Sequence, residues 1–142
     1  MKKLAVILIA LFLFSPTYAF FWNKKEKPSL FLSSINPKNS IEFDKTLENH
    51  SVFKVGQRIY FLVYVPDGFS SDYVRYQIIK QDDKAHVGGY TRVRGSTKRL
   101  NNKHYYIDYF VLSEAGKYGL QIFDITNLHH WVAFGHFRVV NE

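Results

Sequence analysis

The chain alternates between short apolar runs and turn-forming segments, and this alternation leaves few folds open to it. The runs are Leu30–Ile35, Arg58–Val65, Tyr73–Gln81, His86–Arg94, His104–Leu112, Lys117–Ile125 and Trp131–Val140. Each run has the length of a strand, and the intervening segments are rich in glycine, proline, asparagine and aspartate, which favour turns. No stretch has a helical period, so the pattern predicts an all-β domain, with a further short edge strand within Ser40–Phe53.

Composition supports the same prediction. Aromatic residues make up 18% of the 142 residues, with ten tyrosines and thirteen phenylalanines. Such side chains suit the pleated, half-buried surface of a sheet. The chain contains no cysteine, so its core must hold without disulfides, and cysteine nucleophiles, iron–sulfur sites and lipid attachment through cysteine are excluded. The length predicts one domain.

The N-terminus has the order of a bacterial signal peptide. A lysine pair precedes the apolar run Leu4–Phe14, and Pro16 then interrupts the helix shortly before the small residue Ala19. This is the pattern that signal peptidase recognises, so we expect residues 1–19 to be removed after Ala19.

Cleavage would leave residues 20–28 as a leader segment and residues 29–142 as the folded domain, in the periplasm or secreted. The alternative is an uncleaved anchor, because Leu4–Trp22 carries no charge and is long enough to cross a bilayer. The protein would then contact the membrane only through this segment.

Two local motifs sharpen the strand pattern. In Phe53–Phe61 a glycine turn is followed by alternating apolar residues, which predicts a strand with one face in the core. In Leu112–Leu120 a strand ends, a glycine turn follows, and Tyr118 opens the next strand. This motif resembles the corner of immunoglobulin-like sandwiches, where a tyrosine turns its hydroxyl back onto the backbone upstream, and the resemblance implies that the Tyr118 hydroxyl is buried and bonded to the backbone of Leu112–Glu114.

With these two motifs the sequence resembles bacterial immunoglobulin-like domains of the accessory type. The resemblance covers residues 30–140 as a strand pattern. It implies an immunoglobulin-like antiparallel β-sandwich of about seven to eight strands. The chain departs from antibody-type domains because it lacks both cysteines and the core tryptophan between them. The resemblance implies a fold and no chemistry, since this fold carries many unrelated functions.

A basic segment runs from Lys84 to Lys103. It contains six lysines and arginines and no acid, in a chain whose formal net charge is +7. Arg92 and Arg94 lie two residues apart on a predicted strand and so are expected on one face, with Lys98 and Arg99 in the following loop. Such a surface can bind phosphates or sulfated and uronic sugars. The alternative is an ordinary solvated strand face and loop.

Tyrosines supply a second candidate surface. On the run Arg58–Val65, the face opposite the core would carry Tyr60 and Tyr64. Exposed tyrosines beside basic residues suit sugar rings and protein partners, because each ring combines a flat apolar face with a polar tip.

Histidines offer a third candidate. His129 and His130 are adjacent in a predicted loop, and His136 follows on the next run. Imidazoles bind zinc or copper when two or three nitrogens converge on one point. The spacing matches no particular metal site, and surface histidines are the alternative, so we expect no metal and no cofactor.

The sequence carries no nucleophile elbow and no glycine-rich phosphate loop, so we do not expect an enzyme. It predicts an exported, non-enzymatic binding or accessory protein of the bacterial cell envelope. The expected partner is a protein or an anionic glycan or lipid, and nucleic acid is not expected. One alternative is a polyanion- or carbohydrate-binding module using Lys84–Lys103, and another is a periplasmic metal-binding protein using the three histidines.

Overall fold

The computed structural model describes residues 25–36, 50–84 and 88–142, so the predicted signal peptide lies outside the described residues. The strands are β1 (Ser29–Ser33), β2 (Val52–Lys54), β3 (Arg58–Tyr64), β4 (Tyr73–Gln81), β5 (Tyr90–Arg99), β6 (Tyr105–Val111), β7 (Gly116–Asp124) and β8 (Ala133–Val140). The part of the chain that the structure describes holds no apolar helix of membrane-spanning length. The predicted all-β class is confirmed.

The strands form two sheets. One sheet has three strands in the order β1-β3-β6, and the other has five in the order β2-β8-β7-β4-β5. Every pairing is antiparallel except that of β2 with β8, which is parallel. The expectation of a fully antiparallel arrangement is therefore wrong for this one short strand.

A single apolar core lies between the sheets. Successive side chains of a strand point to opposite faces, so each strand contributes alternate residues to this core. The fully buried side chains include Ile59, Phe61 and Val63 of β3, Val74, Tyr76 and Ile78 of β4, and Leu120 and Ile122 of β7. Each such side chain stabilises the fold by roughly 1.5–3 kcal/mol relative to exposure. The core face predicted for Arg58–Val65 is confirmed.

Strand β5 differs most from its prediction. It begins at Tyr90 and continues to Arg99, five residues past the end of the predicted run at Arg94. Gly95 lies beside Arg75, and a Cβ at this position would be 2.9 Å from a guanidinium nitrogen of that flexible side chain, which would have to shift. Lys98 and Arg99 lie within this strand, so the prediction that they occupy a loop is wrong.

The predicted corner at Tyr118 is confirmed. The side chain is buried, and its hydroxyl donates a hydrogen bond of 2.8 Å to the backbone carbonyl of Glu114. This bond joins the beginning of strand β7 to the loop between β6 and β7.

Asp124 closes the opposite end of β7. One carboxylate oxygen accepts bonds from the Ser70 backbone N–H (2.6 Å) and hydroxyl (2.7 Å). The other accepts bonds from the Thr126 N–H (3.1 Å) and hydroxyl (2.8 Å). Burial alone would raise the pKa of Asp124, but these four bonds outweigh it and lower the pKa to about 2.

Candidate functional site

Four of the six cations in the predicted basic segment lie on β5, the edge strand of the five-stranded sheet, but they do not share one face. Across the ladder to β4, Arg94 is opposite the buried Ile78, whereas Arg92 is opposite Ile79 on the other side of the sheet. The register shifts by one residue here, as in a β-bulge, with Val93 as the additional residue. The prediction that Arg92 and Arg94 point to one face is therefore wrong.

Arg94 and Lys98 face the same side of the sheet as the core. Lys98 is opposite the buried Val74. Arg94 acts on the buried Tyr76: burial raises the pKa of the Tyr76 hydroxyl, the charge of Asp108 raises it further, and that of Arg94 lowers it. Arg94 is thus placed among core-side polar groups.

These groups form an edge cluster, defined by Tyr76, Arg94, Ser96, Tyr106 and Asp108. The Tyr106 hydroxyl donates to Asp108 Oδ2 at 2.5 Å, and the Tyr109 N–H donates to Asp108 Oδ1 at 2.8 Å. Burial raises the pKa of Tyr106, and the hydrogen bond and charge of Asp108 raise it further. The bonding of Asp108 within the fold indicates a structural role for this cluster.

The remaining cations of the segment also separate. Arg99 lies opposite Tyr73, on the outward side of the five-stranded sheet. Lys103 lies beyond the strand and forms an ion pair of 3.1 Å with Asp72. Of the four arginines and lysines predicted to bind a partner, only Arg92 and Arg99 share the outward face.

Tyr60 and Tyr64 are on the other sheet. Both belong to β3 and point away from the core, so the structure does not bring them beside the β5 cations. Tyr60 is only 9% exposed, with its ring 5.6 Å from that of Tyr109, whereas Tyr64 is 38% exposed. The expectation of an exposed ring is therefore wrong for Tyr60 and confirmed for Tyr64.

A larger basic surface emerges on the outward side of the five-stranded sheet, which we name the basic face. The outward positions of its strands carry six cations: Lys54, Arg75, Arg92, Arg99, Lys117 and Arg138. No aspartate or glutamate occupies an outward position in these five described strands. Ion pairs within the described ranges involve Lys25, Lys80 and Lys103, so none of them neutralises the basic face.

Four of these cations were missed from the sequence: Lys54, Arg75, Lys117 and Arg138. The sequence signal that could have found them is the alternation of buried and outward side chains along a strand. Arg75, for example, lies between the core residues Val74 and Tyr76 of β4. Alternation assigns each cation to an outward position. It does not show that strands far apart in sequence place their cations side by side.

Aromatic side chains extend the basic face at its β7–β8 side. Trp131 is 55% exposed, and its ring lies 5.4 Å from that of Phe134. Phe134 in turn lies 4.5 Å from the His136 ring, edge to face. Gly119 makes room for this arrangement, because a Cβ there would meet the Phe134 ring at 2.8 Å.

A shallow hollow of about 320 Å³ opens on the basic face near the hairpin that joins β4 to β5. Residues from all five strands line it, including Val52, Gln81, Tyr90, Lys117, His136 and Arg138. We name it the transverse hollow, because it runs across the strands.

The three histidines do not form a metal centre. His129 and His130 are exposed in the turn after β7, and His136 is on β8 against Phe134. Within the described ranges, no group of three or more histidine, aspartate or glutamate side chains is placed to hold a metal ion.

Comparison with known proteins adds little to this description. No protein family model matches the chain, and no curated protein is significantly similar to it. Among solved structures, the chain is similar to the PmoD soluble domain from Methylocystis sp. ATCC 49242 (Rockwell), at 13% identity and a TM-score of 0.48, with 80% of this chain and 90% of that chain covered.

It is also similar to the superoxide reductase (neelaredoxin) from Ignicoccus hospitalis, at 11% identity and a TM-score of 0.44, with 81% of each chain covered. A third similar structure is the CARDB domain of the PF1109 protein from Pyrococcus furiosus, at 14% identity and a TM-score of 0.39, with 82% and 90% covered. At these levels of similarity the comparisons carry no functional argument.

Proposed function

We propose that this protein is an exported, non-enzymatic binding protein of the bacterial cell envelope, and that it recognises an anionic partner through its basic face. The observation that carries the proposal is the charge pattern of that face, with six outward cations and no outward acid in five neighbouring strands. The signal-peptide pattern of residues 1–19 supports export.

The physical consequence of this pattern is a positive potential over one side of the molecule. Neighbouring strands are about 4.8 Å apart, so cations on adjacent strands lie within one Debye length of each other at physiological salt. Their fields add, and an anionic polymer can contact several of them at once.

Exposed aromatic rings add apolar contact area to the basic face. Tyr73 is 47% exposed beside Arg99, and Trp131 is exposed near Phe134. Rings of this kind give flat apolar contacts for a sugar or lipid headgroup between its charged groups.

For the fold we propose the immunoglobulin-like type. Two observations support this assignment: the order of the strands in the two sheets, and the buried tyrosine at the corner between β6 and β7. The five-stranded sheet then serves as the scaffold that presents the basic face.

The proposal is tested by retention on immobilised heparin in a salt gradient. Arg92 and Arg99 are exposed on the basic face, so changing both to Glu should make the protein elute at clearly lower salt than the wild type. The matched control changes Lys27 and Arg58, which are exposed elsewhere, to Glu with the same loss of charge.

We expect the control variant to elute close to the wild type. Equal shifts for the two variants would show that net charge alone governs retention, and would contradict a binding face. Failure of the wild type to bind heparin or anionic vesicles at low salt would overturn the proposal.

A further inference from the structure

The transverse hollow contains two cations that face each other. Lys117 of β7 and Arg138 of β8 are directly opposite in the antiparallel ladder, and both are exposed. Side chains in this relation start about 5 Å apart, and like charges so placed repel each other. An anion between the two groups would remove this repulsion.

Within ranges 25–36, 50–84 and 88–142, no acid lines the hollow. Arg138 is next to Val52 of β2, which carries no charge. Two acids in nearby turns are bound elsewhere: Glu114 forms an ion pair of 2.7 Å with Lys80, and Asp82 accepts bonds from the backbone of Lys84 and the hydroxyl of Thr91.

The rest of the lining suits a sugar. Tyr90 is half-buried and lines one end of the hollow, where it is paired with the exposed Gln81 of β4. An amide side chain can both donate and accept hydrogen bonds. His136 adds a second polar group on β8. Stacking on one aromatic ring, combined with polar groups and a cation pair, matches a ring that carries hydroxyls and one negative charge.

The hollow is elongated across the strands of the sheet. The outward residues Tyr90, Gln81, Lys117, Arg138 and Val52 follow one another from β5 to β2, so the row crosses the full width of the sheet. Four strand spacings of about 4.8 Å make this row roughly 19 Å long. A linear chain of several sugar units fits along such a row.

We propose that the transverse hollow is a subsite for an acidic saccharide, with Lys117 and Arg138 holding the carboxylate or sulfate of one unit and Tyr90 stacking on a neighbouring unit. This inference rests on the proposed function and names its ligand class. Arg75, Arg92 and Arg99 lie outside the lining of the hollow, so in this view they add contacts to a longer polymer only.

The experiment uses short ligands that can occupy only the hollow. Isothermal titration calorimetry would measure binding of an unsulfated oligogalacturonate tetrasaccharide and of a heparin tetrasaccharide, which separates carboxylate from sulfate recognition. We expect one of them to bind, and we expect Lys117→Gln and Arg138→Gln each to weaken it by about tenfold or more, as loss of a charged hydrogen bond predicts. The matched control, Lys27→Gln, removes one exposed cation outside the basic face and should bind the tetrasaccharide like the wild type.

A second readout excludes a structural role. Without ligand, Lys117→Gln should melt at or above the wild-type temperature, because it removes a like-charge neighbour of Arg138. With ligand, the melting temperature of the wild type should rise and that of the variant should not.

If neither tetrasaccharide binds while retention on heparin remains sensitive to Arg92 and Arg99, the subsite is refuted and the basic face stands. If Lys117→Gln, Arg138→Gln and Lys27→Gln all bind the tetrasaccharide equally, the subsite is also refuted. If the wild type binds neither the tetrasaccharides nor polymeric heparin, both proposals fall.

Discussion

One hydroxyl group fixes the corner between β6 and β7. Tyr118 is 2% exposed, and its hydroxyl bonds to the Glu114 carbonyl at 2.8 Å. Because the ring also stacks on Phe137 at a centroid distance of 5.5 Å, the side chain combines a core contact with a polar one. Substitution by phenylalanine removes the polar contact and keeps the ring.

Tyr118→Phe should therefore lower the free energy of unfolding by about 1 kcal/mol, the net contribution of one buried hydrogen bond. For a domain of this size that corresponds to a fall of about 4 °C in melting temperature. Tyr73→Phe is the control, because Tyr73 is exposed. Thermal unfolding followed by circular dichroism measures both, and equal stabilities for the two variants would contradict the role given to the corner.

At the level of single elements, strand β5 contains two arginines, close together in the sequence, that have different roles. Arg92 is on the basic face, whereas Arg94 belongs to the edge cluster with Asp108. The bulge at Val93 is responsible. Because Val93 is an additional residue between Arg92 and Arg94, these two arginines pair with successive residues of β4 and so point to opposite faces of the sheet.

This separation predicts different effects for the same substitution. Arg92→Glu should weaken retention on heparin and leave stability unchanged, since an exposed charge contributes little to folding. Arg94→Glu should instead lower the free energy of unfolding, by up to about 1 kcal/mol, because it reverses the charge that acts with Asp108 on the buried Tyr76 hydroxyl. Urea unfolding and heparin elution of the two variants give the comparison.

A double-mutant cycle tests the cause. In an Asp108→Asn background, Arg94→Glu should lose most of its destabilising effect, because the Asp108 carboxylate that acts on the same Tyr76 hydroxyl is gone. Identical stability losses for Arg92→Glu and Arg94→Glu would contradict the placement of these two arginines on opposite faces of the sheet.

The comparison of elements with the sequence shows what local pattern can predict. Turn residues and alternation predicted the strands around Ile59, Ile78 and Leu120, because each of these strands has a buried face that its own residues define. The bulge in β5 and the parallel pairing of β2 were not predictable in this way. Both depend on a neighbouring strand, which the local sequence does not contain.

The candidate site depends even more on contacts between strands that the local sequence does not contain. Arg75, Lys117 and Arg138 become neighbours only through the ladders that join β4, β7 and β8. A run of cations such as Lys84–Lys103 is visible in the sequence, but the structure divides it between two faces and an ion pair. The basic face is visible only once the strand order is known.

At the scale of the whole molecule, stability toward acid depends on the carboxylate that joins β7 to the loop after β3. The hydrogen bonds from Ser70 and Thr126 hold the pKa of Asp124 at about 2, below the ordinary value of 3.8. The folded state therefore binds this proton less readily than the unfolded chain does. Its contribution to stability is complete above about pH 4 and is lost as the pH falls through about 2.

The difference of nearly two pKa units corresponds to about 2 kcal/mol at neutral pH. Asp124→Asn should lower the free energy of unfolding by about this amount at pH 7, and the gap to the wild type should shrink toward zero between pH 4 and pH 2. Urea unfolding at a series of pH values measures the gap. Glu114→Gln is the control: ion pairing with Lys80 also lowers the pKa of Glu114, but that carboxylate is fully exposed, so its substitution should change stability far less. A gap between Asp124→Asn and the wild type that stays constant down to pH 2 would mean that the stability comes from the shape of the side chain and not from its charge.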